Sequence, residues 1–323
     1  MMGRMKASRP ARPRAIVLGP QRHVPIVKPA LEALGVSAKA EIAFVSAGWE
    51  ERESEDGEFR EHVGRPVRNL EIWGRVERIF AREPQLLTAM RQRHDALRRA
   101  QELYRLRLEG LVGPARALLV HEGDPAIVKP ELDGAIAMVK SLDDEHCKRI
   151  AELHREFDAR VQPKQLATVR EHRAEIEKAL DGAHALCVAG GHVGVLLHRL
   201  DLFDVVGLWG ERPIVAWSAG AMALSERIVL FHHGHSMMGS GVDAEVMEAG
   251  IGALPGIVAL PHARKRLDLH DRVSLQLLSR RMQPAKCVLL DDGDRLDWDG
   301  AEWREHKGGR SLDQAGKVVE ARA

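Results

Sequence analysis

The chain has 323 residues, 45% of them hydrophobic and 29% charged, with a formal net charge of +1. That balance supplies ample material for a buried core and no global field for nucleic acid or an anionic membrane. Aromatic residues at 4% argue against a base-stacking platform, and no window approaches the ~20 apolar residues that span a bilayer.

In chain order, residues 1–13 are basic and Pro-containing and read as a disordered tail without the apolar stretch of a secretory signal. "RAIVLGP" (Arg14 to Pro20) is a short apolar run closed by Gly-Pro, hence a buried strand. "IVKPALEALG" reads as a helix stopped by Gly35, and "AEIAFVSAG" (Ala40 to Gly48) as a second buried strand. Strand, helix, strand with Gly-marked ends is the pattern of a parallel sheet. A charged loop and helix follow in "WEERESEDGEFREH", then a third strand in "VRNLEIWG".

From about Arg75 to Leu180 the chain becomes rich in Arg, Glu, Leu, Ala and Gln. Leu86, Met90, Leu97, Leu103 and Leu106 fall at largely helical spacings. "GPARALLVHEGDPAIVKP" predicts a break, with further helices around Glu131 to Lys140, Asp143 to Arg160 and Pro163 to Leu180. Residues 75–180 therefore read as an all-helical insertion, larger than an ordinary connection. It would serve as a scaffold or homodimer surface, with a lid over the site as the alternative. The α/β pattern of 14–74 resumes over 181–323. "AHALCVAGG" is a strand, "VGVLLHRLDLF" a helix, "RPIVAWSAGAMALSE" strand, corner and helix, and "GIVALPHA" a strand. "RVSLQLLSRRM" is a helix and "KCVLLDDGDRLDWDG" a strand running into a hairpin. Cys147, Cys187 and Cys287 are far apart and odd in number, which predicts a reducing cytoplasm and buried structural thiols rather than disulfides.

The corner at "AWSAGAMALSE" (Ala216 to Glu226) carries the chemistry. A tight strand-to-helix turn pushes the Ser218 hydroxyl out of the sheet edge, with a helix N-terminus behind it for a developing anion. Small neighbours, Ala216, Ala219, Gly220 and Ala221, permit such a turn, and Trp217 must point elsewhere. A helix N-cap is the other use of a serine there. The hydroxyl needs a base. His262, after the apolar run "GIVAL", is the candidate, with His270 and the cluster His232, His233 and His235 as competitors. That cluster has no accompanying carboxylate or cysteine pattern and reads as a solvated loop rather than a metal site. Asp291, Asp292 and Asp294 end a strand and could orient the base. Gly190 and Gly191 follow a strand, so their N–H groups, with that of Ala219, could hold an oxyanion.

The order "CVAGGHVGVLLHRL", "IVAWSAGAMAL", "GIGALPGIVALPHARKR", "CVLLDDGD" resembles the peptidase E and cyanophycinase family of serine peptidases. That resemblance implies a three-layer parallel-sheet fold, flavodoxin-like and related to class I glutamine amidotransferases. Ser218 and His262, 44 positions apart, would be nucleophile and general base. Cyanophycinases carry an acid where Asp292 stands, normally Glu; peptidase E instead places an Asp soon after the serine, and "RIVLFHHGHS" offers none. Asp292 is therefore the expected third member, with Asp291 behind it. Ala216, Ala189 and His192 depart from the family pattern, and Pro261 matches peptidase E rather than cyanophycinase. Arg264 and Arg266 would bind an acidic side chain or terminal carboxylate, in keeping with the family's aspartyl substrates. The resemblance thus implies cleavage of a small peptide or isopeptide beside an acidic residue, with no metal or other cofactor. A non-catalytic ligand-binding protein on the same fold is the alternative. Glutamine amidotransfer needs a Cys at the corner, and a standard α/β-hydrolase would need Asp243 as its acid.

Overall fold

The computed structural model describes residues 13–231, 244–306 and 308–321. The tail through residue 12, His232, His233, His235 and Asp243 lie outside them. In chain order the elements are β1 (Ala15–Leu18), α1 (Val27–Ala33), β2 (Ile42–Val45), α2 (Gly57–Val63), β3 (Val67–Asn69), α3 (Ile72–Arg82), α4 (Pro84–Leu119), α5 (Pro125–Val161) and α6 (Ala167–Asp181). After them come β4 (Ala185–Val188), α7 (Val193–Phe203), α8 (Val205–Trp209), β5 (Ile214–Trp217), α9 (Ala219–Leu224), β6 (Arg227–Phe231), β7 (Ala244–Ala249) and β8 (Ile257–Pro261). The chain closes with α10 (Ala263–Arg266), α11 (Arg272–Met282), β9 (Lys286–Leu290), β10 (Arg295–Trp298), β11 (Trp303–Glu305), β12 (Arg310–Leu312) and β13 (Val318–Glu320).

The main sheet runs β11-β10-β1-β5-β4-β2-β3. Its five strands from β1 to β3 pair in parallel, and β10 and β11 extend it antiparallel past β1. β1, β5, β4 and β2 are covered on both faces and are continuous apolar runs, whereas β3 at the edge carries Arg68 and Asn69. Alternate residues part company across the sheet. Ile16, Leu18, Phe44, Cys187 and Val215 pack with α1 and α2, whereas Val17, Val45, Val188 and Ala216 pack with α3, α6 and α7. The result is the expected three-layer α/β arrangement. β8 and β9 lie parallel in a second sheet, β13-β12-β9-β8, and β6 pairs with β7. The chain crosses back at the strand ends, where Gly19 N–H donates to Asp294 O at 2.9 Å.

As expected, a strand runs into a hairpin: β9 leads to β10 and β11, which pair antiparallel, while β9 itself joins β8 and β12 and β10 joins β1. Three expectations are corrected. The third strand ends at Asn69, because Glu71 turns left-handed (φ 51) and opens α3. The helices expected around 131–140 and 143–160 are one, α5. No Gly or Pro interrupts "VKSLDDEH", and Val139, Leu142, His146 and Ile150 keep one buried stripe through it. The break before α5 is likewise short, Val120 to Asp124, since Pro114 is carried inside α4 and Pro125 starts α5 at a position whose N–H has no intrahelical use.

α4 and α5 pack against each other and dock on β7 and α11. A buried polar knot fastens them. Arg281 on α11 grips Asp143 through both oxygens at 2.6 Å and donates to Tyr104 Oη at 2.6 Å and Ala244 O at 2.8 Å. Tyr104 in turn donates to Asp143 at 2.8 Å and accepts from Val246 N–H. Burial pushes the Cys287 thiol up to about 12, and Cys187 is pushed up likewise. All three cysteines are free. Among the described residues no helix is long and apolar enough to cross a membrane.

Candidate active site

Ser218 stands between β5 and α9 with φ 50 and ψ −124. A side chain is strained in that region, and such strain is kept where surrounding structure over-determines it. Here the surroundings are Trp217, which stacks on Phe44 and Phe59 at the opposite face, and a bed of Ala and Gly beneath the turn. Ser218 is half-buried, and its hydroxyl caps no helix N–H. The N-cap use of this serine is thereby set aside.

Gly190 lies against the serine. A Cβ at position 190 would stand 2.8 Å from Ser218 Cβ and 3.3 Å from Ala219 N, so no larger residue fits. Gly191 has φ +111, and a Cβ there would collide with the carbonyl of Gly48 in the 3₁₀ turn (Ala47–Arg52) that follows β2. Among the described residues, the N–H groups of Gly190, Gly191 and Ala219 have no acceptor. Gly190 and Ala219 are buried. Backbone N–H groups in buried residues usually find a partner, and these two lie beside the Ser218 hydroxyl. His192 caps α7, its Nδ1 accepting from Val195 N–H, and its own N–H donates to Gly48 O at 2.7 Å. The residue that departs from the family pattern thus holds the glycine turn in place.

His262 ends β8 in a left-handed conformation (φ 58) and starts α10. Its strand packs against α9, the helix that Ser218 begins. Burial and the Arg266 charge hold the ring below its ordinary pKa, against the pull of Asp292 and Asp291. No side-chain hydrogen bond joins Ser218, His262 and Asp292 among the described residues; catalytic hydrogen bonds commonly tighten only around bound substrate.

The two candidate acids have different surroundings. Asp291 accepts from the Arg310 guanidinium at 2.5 Å and from Arg264 N–H at 3.1 Å. Arg310 also holds Asp294 at 2.8 Å. Asp292 is exposed, carries no such bond and acts on the His262 ring electrostatically. Of the candidate substrate cations, Arg264 is largely exposed and leans on Asp291 at 3.9 Å. Arg266 is half-buried beside His262, has its pKa lowered by burial, and pairs with no carboxylate among the described residues. His270 is exposed, outside this group.

The family model described as peptidase family S51 matches residues 136–305, a little over half of the chain. The chain belongs to peptidase family S51. It is a serine-type peptidase, and the matched stretch holds Gly190, Gly191, Ser218, His262 and Asp292. The match begins inside α5. Two solved structures resemble this S51 peptidase in fold. One is a peptidase from an acI-B1 Actinobacterium, 12% identical over 96% of this chain and 98% of that one, with a TM-score of 0.48. The other is a candidate peptidase E protein from Listeria monocytogenes EGD-e, 12% identical over 92% of this chain and 98% of that one, with a TM-score of 0.45. No curated protein matches the sequence. Sequence reasoning missed the contrast between Asp291 and Asp292, because Arg310 is distant in the chain. It also missed the histidine and glutamate cluster described below, whose members lie on three separate elements.

Proposed function

We propose that this S51 peptidase cleaves a peptide or isopeptide bond beside an acidic residue through Ser218, His262 and Asp292. Ser218 Oγ attacks the carbonyl carbon while His262 takes its proton. The N–H groups of Ala219, Gly190 and Gly191 stabilise the oxyanion. The tetrahedral adduct collapses, His262 gives the proton to the leaving amine, and water hydrolyses the acyl-enzyme by the same route. Asp292 orients the ring. The observation that carries this reading is the strained Ser218 turn set against the Gly190 and Ala219 N–H groups, which have no acceptor among the described residues.

Arg266 supports the preference for an acidic substrate. It is a half-buried cation next to the base with no carboxylate of its own among the described residues, so a substrate carboxylate would satisfy it. Asp291, already engaged by Arg310, acts as a brace for the loop. In this reading residues 14–74 and 181–323 carry the chemistry in the cytoplasm. Helices over 75–180 form a scaffold through which the chain would dimerise.

The test is labelling of the full chain with a fluorophosphonate probe, located by peptide mapping. Labelling at Ser218 that disappears in Ser218→Ala and His262→Ala is expected, followed by turnover of α- or β-aspartyl peptides. Turnover of such peptides undiminished in Ser218→Ala would sink the assignment.

A further inference from the structure

A second cluster lies away from the serine corner. His154 on α5, His198 on α7 and Glu248 on β7 meet there, and nothing in the peptidase chemistry uses them. Glu248 is 5% exposed. Its Oε2 lies 2.8 Å from His154 Nε2 and its Oε1 3.0 Å from His198 Nε2. The two imidazoles meet edge to face with centroids 5.2 Å apart. One ligand atom from each residue lies within 4.8 Å of the other two. Around a tetrahedral zinc ion with bonds of ~2.0–2.1 Å, donor atoms stand ~3.3 Å apart. Small side-chain rotations therefore bring these three donors to ligand spacing.

We propose that His154, His198 and Glu248 form a divalent transition-metal site that takes zinc and clamps α5 to α7 and β7. Two imidazoles and one carboxylate are a borderline nitrogen and oxygen donor set, suited to zinc, and leave a fourth position for water. Coordination needs the lone pair on each Nε2, so each ring carries its proton on Nδ1 in the metal-bound form. His146 is close by but occupied, its Nε2 facing Gln101 Oε1 and Met247 O. The buried Arg93 guanidinium also feels Glu248, and Asp158 and Asp201 share in balancing its charge. The glycine turn Gly190–His192 leads directly into α7, so the ion would fix the helix behind the proposed oxyanion donors.

The test strips the full-length protein with a chelator, dialyses it against zinc chloride and measures bound metal by mass spectrometry. Roughly one equivalent per chain is expected, with a thermal midpoint that rises on zinc addition. In His154→Gln and in His198→Gln, retained zinc falls to below about a tenth of that and the midpoint shift is lost. A variant with His232, His233 and His235 all changed to Gln retains the ion. No zinc retained by the unaltered chain would overturn the proposal and leave a hydrogen-bonded His–Glu–His clasp. Retention that persists in His154→Gln and His198→Gln, or that follows the 232–235 histidines, would overturn it as well.

Discussion

Replacing Asp292 and Asp291 one at a time by Asn separates an acid that works from an acid that braces. Asp292 is exposed and makes no hydrogen bond among the described residues, so Asp292→Asn should change stability by no more than about 0.5 kcal/mol. As the orienting acid of a triad it should nonetheless cost about 10⁴ in kcat, or about 5 kcal/mol in the barrier. Asp291→Asn should do the opposite. It removes a charge-assisted bond to Arg310, whose side chain is only 5% exposed. Abandoning a buried charge outright costs about 3–5 kcal/mol, but Arg310 keeps Asp294 at 2.8 Å. The loss is therefore nearer that of one hydrogen bond to a charged group, about 1.5–3 kcal/mol. Urea unfolding gives the first quantity, and kcat on an aspartyl peptide gives the second. The reasoning fails if Asp292→Asn keeps more than about a tenth of wild-type kcat, or if Asp291→Asn abolishes turnover at unchanged stability.

Gly190→Ala forces a methyl against Ser218 and displaces one oxyanion donor; kcat should fall by about 10²–10³, measured at saturating substrate. Arg266→Gln should raise KM by about 10–100-fold for substrates with an acidic residue beside the cleaved bond, and leave KM unchanged for their amidated analogues. His262 must be neutral to accept a proton, and its pKa is held below the ordinary 6.5. Activity should therefore persist as pH falls through 6.5 and be lost only below it, so a pH profile of kcat/KM with its acid limb above 6.5 would contradict the burial argument. Asp143→Asn leaves the Arg281 charge uncompensated in the interior and should cost about 3–5 kcal/mol in urea unfolding.

The parallel sheet was legible because β1, β2, β4 and β5 are buried on both faces and read as unbroken apolar runs. The strand-to-helix corner at Ser218 was legible because a crowded turn demands the small residues that surround it. What escaped was set by distance in the chain. The continuity of α5 depends on Leu142 and Asp143 turning inward against α4 and α11, which local charge patterning hides. The parting of β9 from β10 depends on a partner, β1, at the other end of the sequence. Asp291 and Asp292 are chemically identical neighbours, and it takes Arg264 and Arg310, the latter 19 positions from Asp291, to tell them apart.

The knot of Tyr104, Asp143 and Arg281 also sets an order of events during synthesis. Asp143 leaves the ribosome 138 residues ahead of Arg281, which at about 5–20 residues per second is on the order of ten seconds. Through that interval the two longest helices have an acid and a phenol but no cation to close over. They can pair along their apolar stripe, yet their final seat waits for α11. A nascent chain stalled short of residue 281, or a fragment cut there, would carry that carboxylate into water or to a chaperone rather than into the core.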